Sequence, residues 1–481
     1  MIEVSNAWKE NQRRLLADRV GLCIKVYDGE EYAARIADVP LPAGESAPPI
    51  NVANILKMTY SSSCGEYSLE APQMTVDLLI SNIDGTSGEL WEKLVEWEAS
   101  SSLIRWQIYA VYNTSPDSYE SHLLASLVMY NKSLNDNENI ITINLVPFFA
   151  LIKEKMFLPD MYDLVDISNV DAGYEYDISS VINEINNNNI FPASISYERF
   201  YPDPMKLYKP FKQHKTGDAI QIIANSYLLW TRYALMDLGS YKFTNFLVYD
   251  PFIPYTVPHS DYIIGDYNLY SYPEENVNET RNFVLETPEY PSRTEGETSF
   301  SLVAPTINAH SQVWMNFPQT VFDPFGFYIN VPVSLNLKRL GAAGCVLANN
   351  SDSAVSGVTI SLRGYFSDGY EQSYMSDDAV NSSKTKAIYN ELGIKNQNAG
   401  DMVLSLDGPS YQASFRADPR LECGDYVILA TKRKKIVARV LKLKYEYNGA
   451  WKGSATLRHV EDVAPLALIA DDTMFLTNAL T

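Results

Sequence analysis

The stretch 417–459 constrains the fold more than any other part of the chain. From Leu441 to Tyr447, apolar residues alternate one by one with charged residues, which places an apolar set on one face of a β-strand and the charges on the other. Asn448-Gly449 follows, and Asn-Gly between two such runs is a strong hairpin signal. The predicted strands are Tyr426–Ala430, Ile436–Tyr447 and Trp451–Arg458. The stretch therefore predicts a three-stranded antiparallel meander with one face in water.

Two short segments of this stretch mark its turns. Gly424-Asp425 stands directly before the first strand, where a glycine is typical of a turn that needs a positive φ. The second segment, Lys432–Lys435, holds four basic residues in a row. We interpret it as a solvated hairpin tip; a contact with phosphate or with an acidic neighbour is the alternative.

Length and charge limit the classes of protein to consider. A chain of 481 residues predicts more than one domain and a large core. It carries 38 basic and 59 acidic residues, a formal net charge of −21, which opposes nonspecific binding to DNA or to anionic membranes. The 33 tyrosines favour half-buried strands. The longest apolar run is too short to cross a bilayer, so we expect no membrane-spanning segment.

The chain as a whole predicts a mainly β fold with a few helices (β+α). We expect two small antiparallel β-barrel-like domains joined by a mixed, loop-rich middle region. The boundaries are 1–150 for the first β-barrel-like domain, 151–300 for the mixed α/β middle region, 301–465 for the second β-barrel-like domain and 466–481 for a C-terminal tail.

The predicted elements follow from local patterns. In the first domain, Ser5 is an N-cap and Trp8 an anchor of a short helix, and a second helix has its apolar spacing at Leu90–Val95. The strands predicted there are Leu22–Tyr27, Tyr32–Ala37, Ile55–Tyr60, Met74–Ser81, Ile104–Tyr112, Leu123–Tyr130 and Ile140–Val146. The helices predicted further on are Phe149–Met156, Ile178–Ile185 and Thr216–Tyr233. The later strands before the meander are Phe300–Ala304, Gln312–Phe317, Phe327–Leu335, Gly344–Leu347 and Ala354–Arg363.

Segments at both ends of the chain resemble one protein family. ADPRLECGDYVIL, followed by KIVARVLKLKYEYNGAWKGSATLRH, resembles the C-terminal barrel of phage tail-hub proteins, which sit at the tip of the tail tube. SNAWKE and TVDLLISNIDGT resemble, in the same chain order, the N-terminal domain of those proteins. A helix with the sequence TGDAIQIIA is similar to one that the family has in mid-chain. The matches cover about half of the chain and mark positions of a scaffold rather than of a catalytic site.

The resemblance to a phage tail-hub or tail-tip (baseplate hub-like) structural protein implies a role in assembly. It implies a homotrimer in which each subunit supplies two barrel-like domains, so that three chains adapt the six-fold tail tube to a three-fold tip. It implies contacts with tail tube, distal tail and tape-measure-type proteins, and a channel that DNA passes. It also implies a place in the virion, at the tail tip, after synthesis in the host cytoplasm. The Tyr-rich segment 240–300 departs from the family, and no peptidase or lysozyme-like domain is appended.

The residues that carry chemistry in other proteins form no recognised pattern here. Four cysteines (Cys23, Cys64, Cys345 and Cys423) lie far apart without CxxC, so we interpret them as small core residues rather than as disulfides or zinc ligands. Five histidines (His122, His214, His259, His310 and His459) show no metal-ligand spacing. GxSxG, GxGxxG and GxxxxGK[ST] are absent. We therefore predict no catalytic, cofactor-binding or metal-binding residues, no cofactor and no enzymatic activity.

Two features keep other functions open. Glu274-Glu275 and Asp377-Asp378 are pairs of carboxylates, the groups used by glycosidases, although solvated loop charge is the simpler interpretation. The tyrosines of 241–290 are able to stack on sugars or to pack against a partner protein. The alternative to a tail hub is thus a receptor- or carbohydrate-binding tail protein with Tyr-rich loops on a β scaffold. A third hypothesis is a glycan-active enzyme.

Overall fold

The computed structural model describes most of the two chain ends and parts of the middle. The described residues are 4–14, 19–42, 44–66, 71–82, 85–100, 103–115, 118–157, 182–183, 195–198, 214–226, 229–237, 242–249, 251, 263–265, 268–276, 282–288, 292–322, 326–368, 371–375, 385–389 and 408–462. They form a mainly β structure of several sheets with four described helices, which confirms the predicted fold class. None of these helices is long and apolar enough to cross a membrane.

The helices and strands that the sequence predicts in the N-terminal part of the chain are present, but the strand predicted for Leu123–Tyr130 is longer, and two short strands, Ile50–Val52 and Met156–Phe157, are additional. The elements of this part are α1 (Asn6–Arg13), β1 (Val20–Asp28), β2 (Glu31–Ala37), β3 (Ile50–Val52), β4 (Ile55–Ser63), β5 (Met74–Ser81), α2 (Gly85–Ala99), β6 (Ile104–Ser115), β7 (Ser118–Asn135), β8 (Ile140–Val146), α3 (Phe149–Ile152) and β9 (Met156–Phe157). The helix predicted for Phe149–Met156 ends at Ile152. The prediction of strands from alternating apolar residues is confirmed in this part of the chain.

The middle elements correct one prediction. They are β10 (Ile195–Glu198), β11 (His214–Lys215), α4 (Thr216–Ser226), β12 (Trp230–Asp237), β13 (Lys242–Tyr249), β14 (Ile263–Ile264), β15 (Glu274–Asn276), β16 (Asn282–Pro288) and β17 (Ser292–Arg293). The helix predicted for Thr216–Tyr233 ends at Ser226, because Trp230–Asp237 pairs antiparallel with β13 instead. Trp, Thr and Tyr favour strands once a pairing partner exists. The helix predicted near Ile178–Ile185 lies mostly outside the described residues.

The remaining elements run from 298 to 462. They are β18 (Thr298–Val303), β19 (Ser311–Asn316), β20 (Tyr328–Asn330), β21 (Asn336–Gly341), β22 (Gly344–Asn349), β23 (Thr359–Gly364), β24 (Ser367–Asp368), β25 (Glu371–Met375), β26 (Thr385–Tyr389), β27 (Ser410–Arg416), β28 (Tyr426–Ala430), β29 (Lys435–Tyr447) and β30 (Trp451–Asp462). The predicted strand Phe327–Leu335 is shorter, since only β20 pairs there, and β21 was not predicted. The predicted C-terminal tail lies outside the described residues.

Strands from both ends of the chain share one large sheet of fourteen strands. Its main path is β15-β27-β30-β29-β4-β5-β8-β7-β6-β1-β2-β3, with β28 on β29 and β14 on β28. The path ends at β15 and at β3, so this sheet is open among the described residues and forms no closed barrel. The domain boundaries at 150, 300 and 465 stay predictions.

The long strand β29 joins the two halves of this sheet. Its C-terminal part pairs with β4, from Lys442 opposite Ser63 to Tyr447 opposite Met58. Its N-terminal part pairs with β28, and β30 runs along its other edge. From Leu441 onward its burial alternates as the sequence predicts, with apolar side chains buried and Lys442 and Lys444 exposed. The predicted meander with one wet face is confirmed.

Residues 298–364 build a smaller unit of two three-stranded sheets. One has the order β18-β23-β20 and the other β19-β22-β21. In β23 the burial alternates strictly, with Ile360 and Leu362 fully buried and their neighbours exposed. The edge of the Phe300 ring lies against the Phe366 ring at 4.8 Å between centroids, an arrangement that aromatic pairs prefer.

Candidate assembly site where the chain ends meet

The N-terminal helix α1 is fixed in position by its first residues. Ser5 is its N-cap, and the Ser5 hydroxyl accepts a hydrogen bond from the Trp8 amide at 3.1 Å, which satisfies one of the free N–H groups of the first turn. This cap turns Trp8 inward, where its side chain is fully buried. The predictions of Ser5 as N-cap and Trp8 as anchor are confirmed.

Trp8 meets the C-terminal segment directly. Its indole Nε1 donates a hydrogen bond to the Asp418 carboxylate at 3.1 Å, and Arg420 Nε donates to the other oxygen of the same carboxylate. Asp418 and Arg420 are each only 3% exposed. The Tyr445 hydroxyl donates to the carbonyl oxygens of Asp418 and Leu421 at 3.1 and 3.3 Å. We call Trp8, Asp418, Arg420 and Tyr445 the chain-end junction.

The chain-end junction buries a charge pair, and this changes its acid–base behaviour. Burial raises the pKa of the Asp418 carboxyl above its ordinary value, although the Arg420 charge and the Trp8 hydrogen bond lower it in part. Such a pair must be satisfied on all sides, because a buried charge without its partner is costly. The chain-end junction therefore specifies one geometry between α1 and the segment before β28.

A second contact holds the first residues of α1 against β7. The Glu120 carboxylate on β7 accepts hydrogen bonds from the Ser5 amide at 2.7 Å and from the Ser5 hydroxyl. His122 Nε2 lies 2.6 Å from Glu120 Oε1, and the His122 ring packs edge-on against Trp8. Burial raises the pKa of Glu120, but the hydrogen bonds from Ser5 and His122 lower it by more, so the net shift is downward. We call Ser5, Glu120 and His122 the helix clamp.

The predicted Gly-Asp turn is the third part of the site. Gly424 has a φ of +90°, which confirms the predicted positive φ. Its amide donates to the Val440 carbonyl at 2.8 Å, and the Val440 amide donates to the Asp425 carbonyl at 2.8 Å. A Cβ on Gly424 would lie 3.0 Å from both Arg232 Cδ and the Tyr249 hydroxyl. The turn is thus closed on one side by β29 and on the other by β12 and β13.

Arg232 links this turn to the middle of the chain. Its guanidinium donates to the Cys423 carbonyl at 2.6 Å, lies 3.9 Å from the Asp425 carboxylate and stacks over the Tyr249 ring at 5.2 Å. Burial lowers the pKa of Arg232, yet the charges of Glu422 and Asp425 raise it by more, so the net shift is upward. The guanidinium therefore stays charged and ties β12 to the turn.

A polar groove of about 520 Å³ runs over the wet face of the main sheet beside this turn. Its walls carry hydroxyl groups from β4, β5 and β30, two lysines of β29, and Glu66, which forms an ion pair with Arg458. The lining includes Ser61, Ser63, Thr75, Lys442, Lys444, Ser454 and Thr456. None of the described residues that line the groove is a histidine. Its chemistry is that of a hydrated, hydrogen-bonding wall.

The structure does not bring the described histidines together. His122 belongs to the helix clamp, while His214 lies on β11. His310 Nε2 lies 2.9 Å from Asp352 Oδ1, and His459 Nε2 lies 3.0 Å from Asp462 Oδ1. His259 lies outside the described residues. Among the described part of the chain, no three His, Cys, Asp or Glu residues gather as metal ligands.

The acidic and basic candidates have ordinary surroundings. Glu274 and Glu275 are exposed neighbours on the edge strand β15, so their side chains point to opposite faces of that strand; Asp377-Asp378 lies outside the described residues. Lys432–Lys434 are exposed between β28 and β29, and Lys434 Nζ contacts Asp462 at 2.6 Å. The exposure of Lys432–Lys434 agrees with a solvated hairpin tip, and the contact of Lys434 with Asp462 is the acidic neighbour of the alternative interpretation. The prediction of no catalytic, cofactor-binding or metal-binding residue stays a prediction.

The tyrosines of the segment 241–290 divide into two kinds where they are described. Tyr249 is buried in the Arg232 contact, whereas Tyr270 and Tyr272 are 59% and 51% exposed. The Tyr270 amide donates to the Ser414 carbonyl at 3.0 Å, which holds the exposed pair beside β27. Much of this segment lies outside the described residues.

Sequence reasoning missed Glu120, Arg232 and the join of β29 to β4. Glu120 and Arg232 stand in strands whose patterns carry no sign of a distant partner. The chain gives one weak signal for Arg232, since a single arginine stands among apolar residues at 229–236. A cation in such a place needs a buried partner.

Comparison with known proteins gives structural matches alone. No family model matches the chain, and no curated protein matches it. Among solved structures, the chain is similar to a tail protein from Neisseria meningitidis MC58 (TM-score 0.44, 8% identity, covering 91% of this chain and 97% of that one). It is also similar to a 43 kDa tail protein of prophage MuSo2 from Shewanella oneidensis (TM-score 0.41, 9% identity, 92% and 98%). A chain of the Francisella PdpA–VgrG complex is a third (TM-score 0.41, 10% identity, 94% and 67%).

Two of these three structures are tail proteins. All three TM-scores lie below 0.5.

Proposed function

We propose that the chain is a structural tail-hub protein of a bacteriophage or phage-derived particle. In this role it adapts the six-fold tail tube to a three-fold tip and closes or lines the DNA channel. Its work is geometric: it orders its neighbours by shape and by burial of strand edges and faces, and it breaks no bonds. Its place would be the tail tip of the virion, after synthesis in the host cytoplasm.

One observation carries the proposal. The segments SNAWKE and ADPRLECGD, by which the two ends of the sequence resemble tail-hub proteins, lie against each other in the chain-end junction. Trp8 and Asp418 are 410 positions apart, so their contact unites the resembling segments in one place. Because residues of the two resembling segments contact each other, they support a scaffold like that of tail-hub proteins more strongly than two separate short matches would.

The main sheet supports a role as a wall. As far as the chain is described, this sheet is open, contains strands from both chain ends and exposes hydroxyl groups along the groove. Three copies around an axis would give a ring of such sheets, with tail tube, distal tail and tape-measure-type proteins as neighbours. The net charge of −21 opposes adhesion of DNA moving through the ring.

The test is the mass and shape of the purified full chain. Light scattering is expected to give three times the 54.2 kDa chain mass, and negative stain a three-fold ring with a central opening. Because some hubs assemble only on a partner, the measurement is repeated with the tail tube protein of the same particle. A chain that remains a monomer in both conditions contradicts the proposal.

A receptor- or carbohydrate-binding tail protein is the second candidate. The observation that favours it is the exposed pair Tyr270 and Tyr272 beside the edge of the main sheet. Exposed tyrosines offer large contact areas at low entropic cost. Saturable binding to a glycan array that is lost in the Tyr270→Ser and Tyr272→Ser double variant would support this candidate. Equal binding by both proteins would remove it.

A further inference from the structure

Two cysteines from opposite ends of the chain meet beside the Gly424 turn. Cys64 follows β4, and its thiol lies 3.6 Å from the Val440 carbonyl oxygen. The same oxygen accepts the Gly424 amide at 2.8 Å, and Cys423 directly precedes that glycine. The Cys64 thiol also lies 3.7 Å from the Tyr249 hydroxyl, which borders the turn as well. The two cysteines are close enough for each thiol to shift the pKa of the other.

The two thiols differ in their access to solvent. Cys64 is half-buried and lines the polar groove, so small polar reagents reach it. Cys423 is 1% exposed and is not among the described residues that line the groove. Cys64 is therefore the thiol that a reagent reaches first, and Cys423 is the thiol positioned to react with it afterwards.

The surroundings favour thiolate formation at Cys64 rather than elsewhere. Burial raises the pKa of the Cys64 thiol, but hydrogen bonds with Cys423 and Tyr249 and the Arg232 charge lower it by more, so it ends below its ordinary value. Burial raises the pKa of Cys23, and that of Cys345 to about 12. The thiolate is the reactive form of cysteine, so Cys64 differs chemically from Cys23 and Cys345.

We propose that Cys64 and Cys423 form a dithiol pair that oxidises to an intramolecular disulfide, with Cys64 as the thiol that meets the oxidant. The pair is a modification site for small, polar, two-electron thiol oxidants. The bond would fasten the end of β4 to the turn before β28. The inference is independent of the tail-hub proposal.

With an azodicarboxamide as the oxidant, the reaction balances in two steps. The Cys64 thiolate adds to one azo nitrogen, which forms an S–N bond, and the other nitrogen takes up a proton. The Cys423 sulfur then attacks the Cys64 sulfur, so an S–S bond forms and the S–N bond breaks. The Cys423 proton leaves with the hydrazine product, which has gained two electrons and two protons.

The experiment treats the native full chain with diamide, blocks the remaining thiols with a maleimide and digests the protein without reductant. Mass spectrometry is expected to find one peptide pair that joins residues 64 and 423 within one chain and lacks two hydrogens. When the diamide-treated chain is denatured and labelled with maleimide, the labelling of Cys64 and Cys423 should be lower than in the untreated chain, and by the same fraction. The labelling of Cys23 and Cys345 should be the same with and without diamide. Reductant should restore both thiols.

Two variants sharpen the result. In Cys423→Ser, diamide with added glutathione should leave Cys64 as a mixed disulfide, while Cys345→Ser should keep the 64–423 link. If a variant does not fold, the digest of the wild-type chain still tests whether the 64–423 disulfide forms. The proposal is overturned when Cys64 and Cys423 both stay reduced under native conditions, when they react independently, or when the link joins two chains.

Discussion

Gly424 holds a backbone conformation that residues with side chains rarely adopt. With a φ of +90° and with Arg232 and Tyr249 at 3.0 Å from an added Cβ, the change Gly424→Val meets both strain and crowding. We expect it to lower the free energy of unfolding by about 2–4 kcal/mol. Denaturant titration with a constant m-value measures this loss.

A matched control separates the two causes. Gly449 has a similar φ of +93°, but nothing lies within 4 Å of an added Cβ. Gly449→Val should therefore cost only the backbone part, about 1–2 kcal/mol. Equal losses in the two variants would mean that the contacts of Arg232 and Tyr249 do not constrain the turn.

At this scale the sequence predicted residues whose role is local. Ser5, Trp8 and Gly424 were identified because caps, anchors and turns depend on near neighbours in the chain. Glu120 and Arg232 were missed because their roles depend on Ser5 and Cys423, which lie more than a hundred positions away. Propensity and periodicity contain no information on such pairings.

In strand β29, the alternation of apolar and charged residues assigns each side chain to the buried or to the exposed face. Leu443 is 2% exposed on the inner face, while Lys444 next to it is exposed on the outer face. Leu443→Ala should cost about 2–5 kcal/mol, since it leaves a cavity in the core. Lys444→Ala should change stability by about 0.5 kcal/mol or less. Thermal and denaturant unfolding measure both; similar losses would contradict the assigned faces.

The attachment of α1 through the helix clamp should depend on pH. The folded-state pKa of Glu120 is lowered from 4.5, so its contribution to stability is present above pH 4.5 and is lost as pH falls through the folded value. Asp418 has the opposite sign: its pKa is raised from 3.8, so its contribution decreases as pH rises from about that value.

Comparing wild type with Glu120→Gln separates these two groups. Melting temperatures measured from about pH 3 to 6 should show a smaller loss on acidification in Glu120→Gln, because that variant lacks the titrating carboxyl. The Asp418 contribution should remain in both proteins. Parallel curves would show that Glu120 does not hold α1 in a pH-dependent way.

Helices and strands were predicted well where a local pattern of apolar residues determines them. They were predicted poorly where pairing with a distant strand determines them. The strands Met74–Ser81, Ile140–Val146 and Tyr426–Ala430 have their predicted bounds. The helix that begins at Thr216 was extended too far because Trp230 and Tyr233 fit helical spacing as well as a strand. Its true end depends on β13, which no local pattern reveals.

For the whole molecule, the two chain ends should depend on each other. Removing residues 1–14 takes away Trp8, one hydrogen-bonding partner of the buried Asp418 carboxylate. We expect the C-terminal meander to lose stability and to become a site of proteolysis. Trp8→Phe keeps the helix and the aromatic ring but removes the indole N–H, and should cost about 1.5–3 kcal/mol.

Limited proteolysis and unfolding of both proteins measure this dependence. Deletion should have the larger effect, because it also removes the Ser5 contact to Glu120. A deleted chain with the wild-type melting temperature and cleavage pattern would show that the chain-end junction contributes nothing to the C-terminal strands. For the whole molecule, the mainly β class was predictable from the sequence. The large fourteen-stranded sheet was not predictable, because its strands β4 and β29 lie about 380 residues apart in the chain.

The pairing of β4 with β29 also has a consequence for how the protein is made. During synthesis, strands β1 to β8 leave the ribosome long before Lys442 exists to pair with Ser63. At about 5–20 residues per second, the roughly 380 residues between them take about 20–80 seconds to translate. Through that interval the β4 edge has unpaired backbone groups, a template for foreign strands. Newly made chains therefore depend on protection of the β4 edge, by a chaperone or by a transient local strand, until β29 has been synthesised.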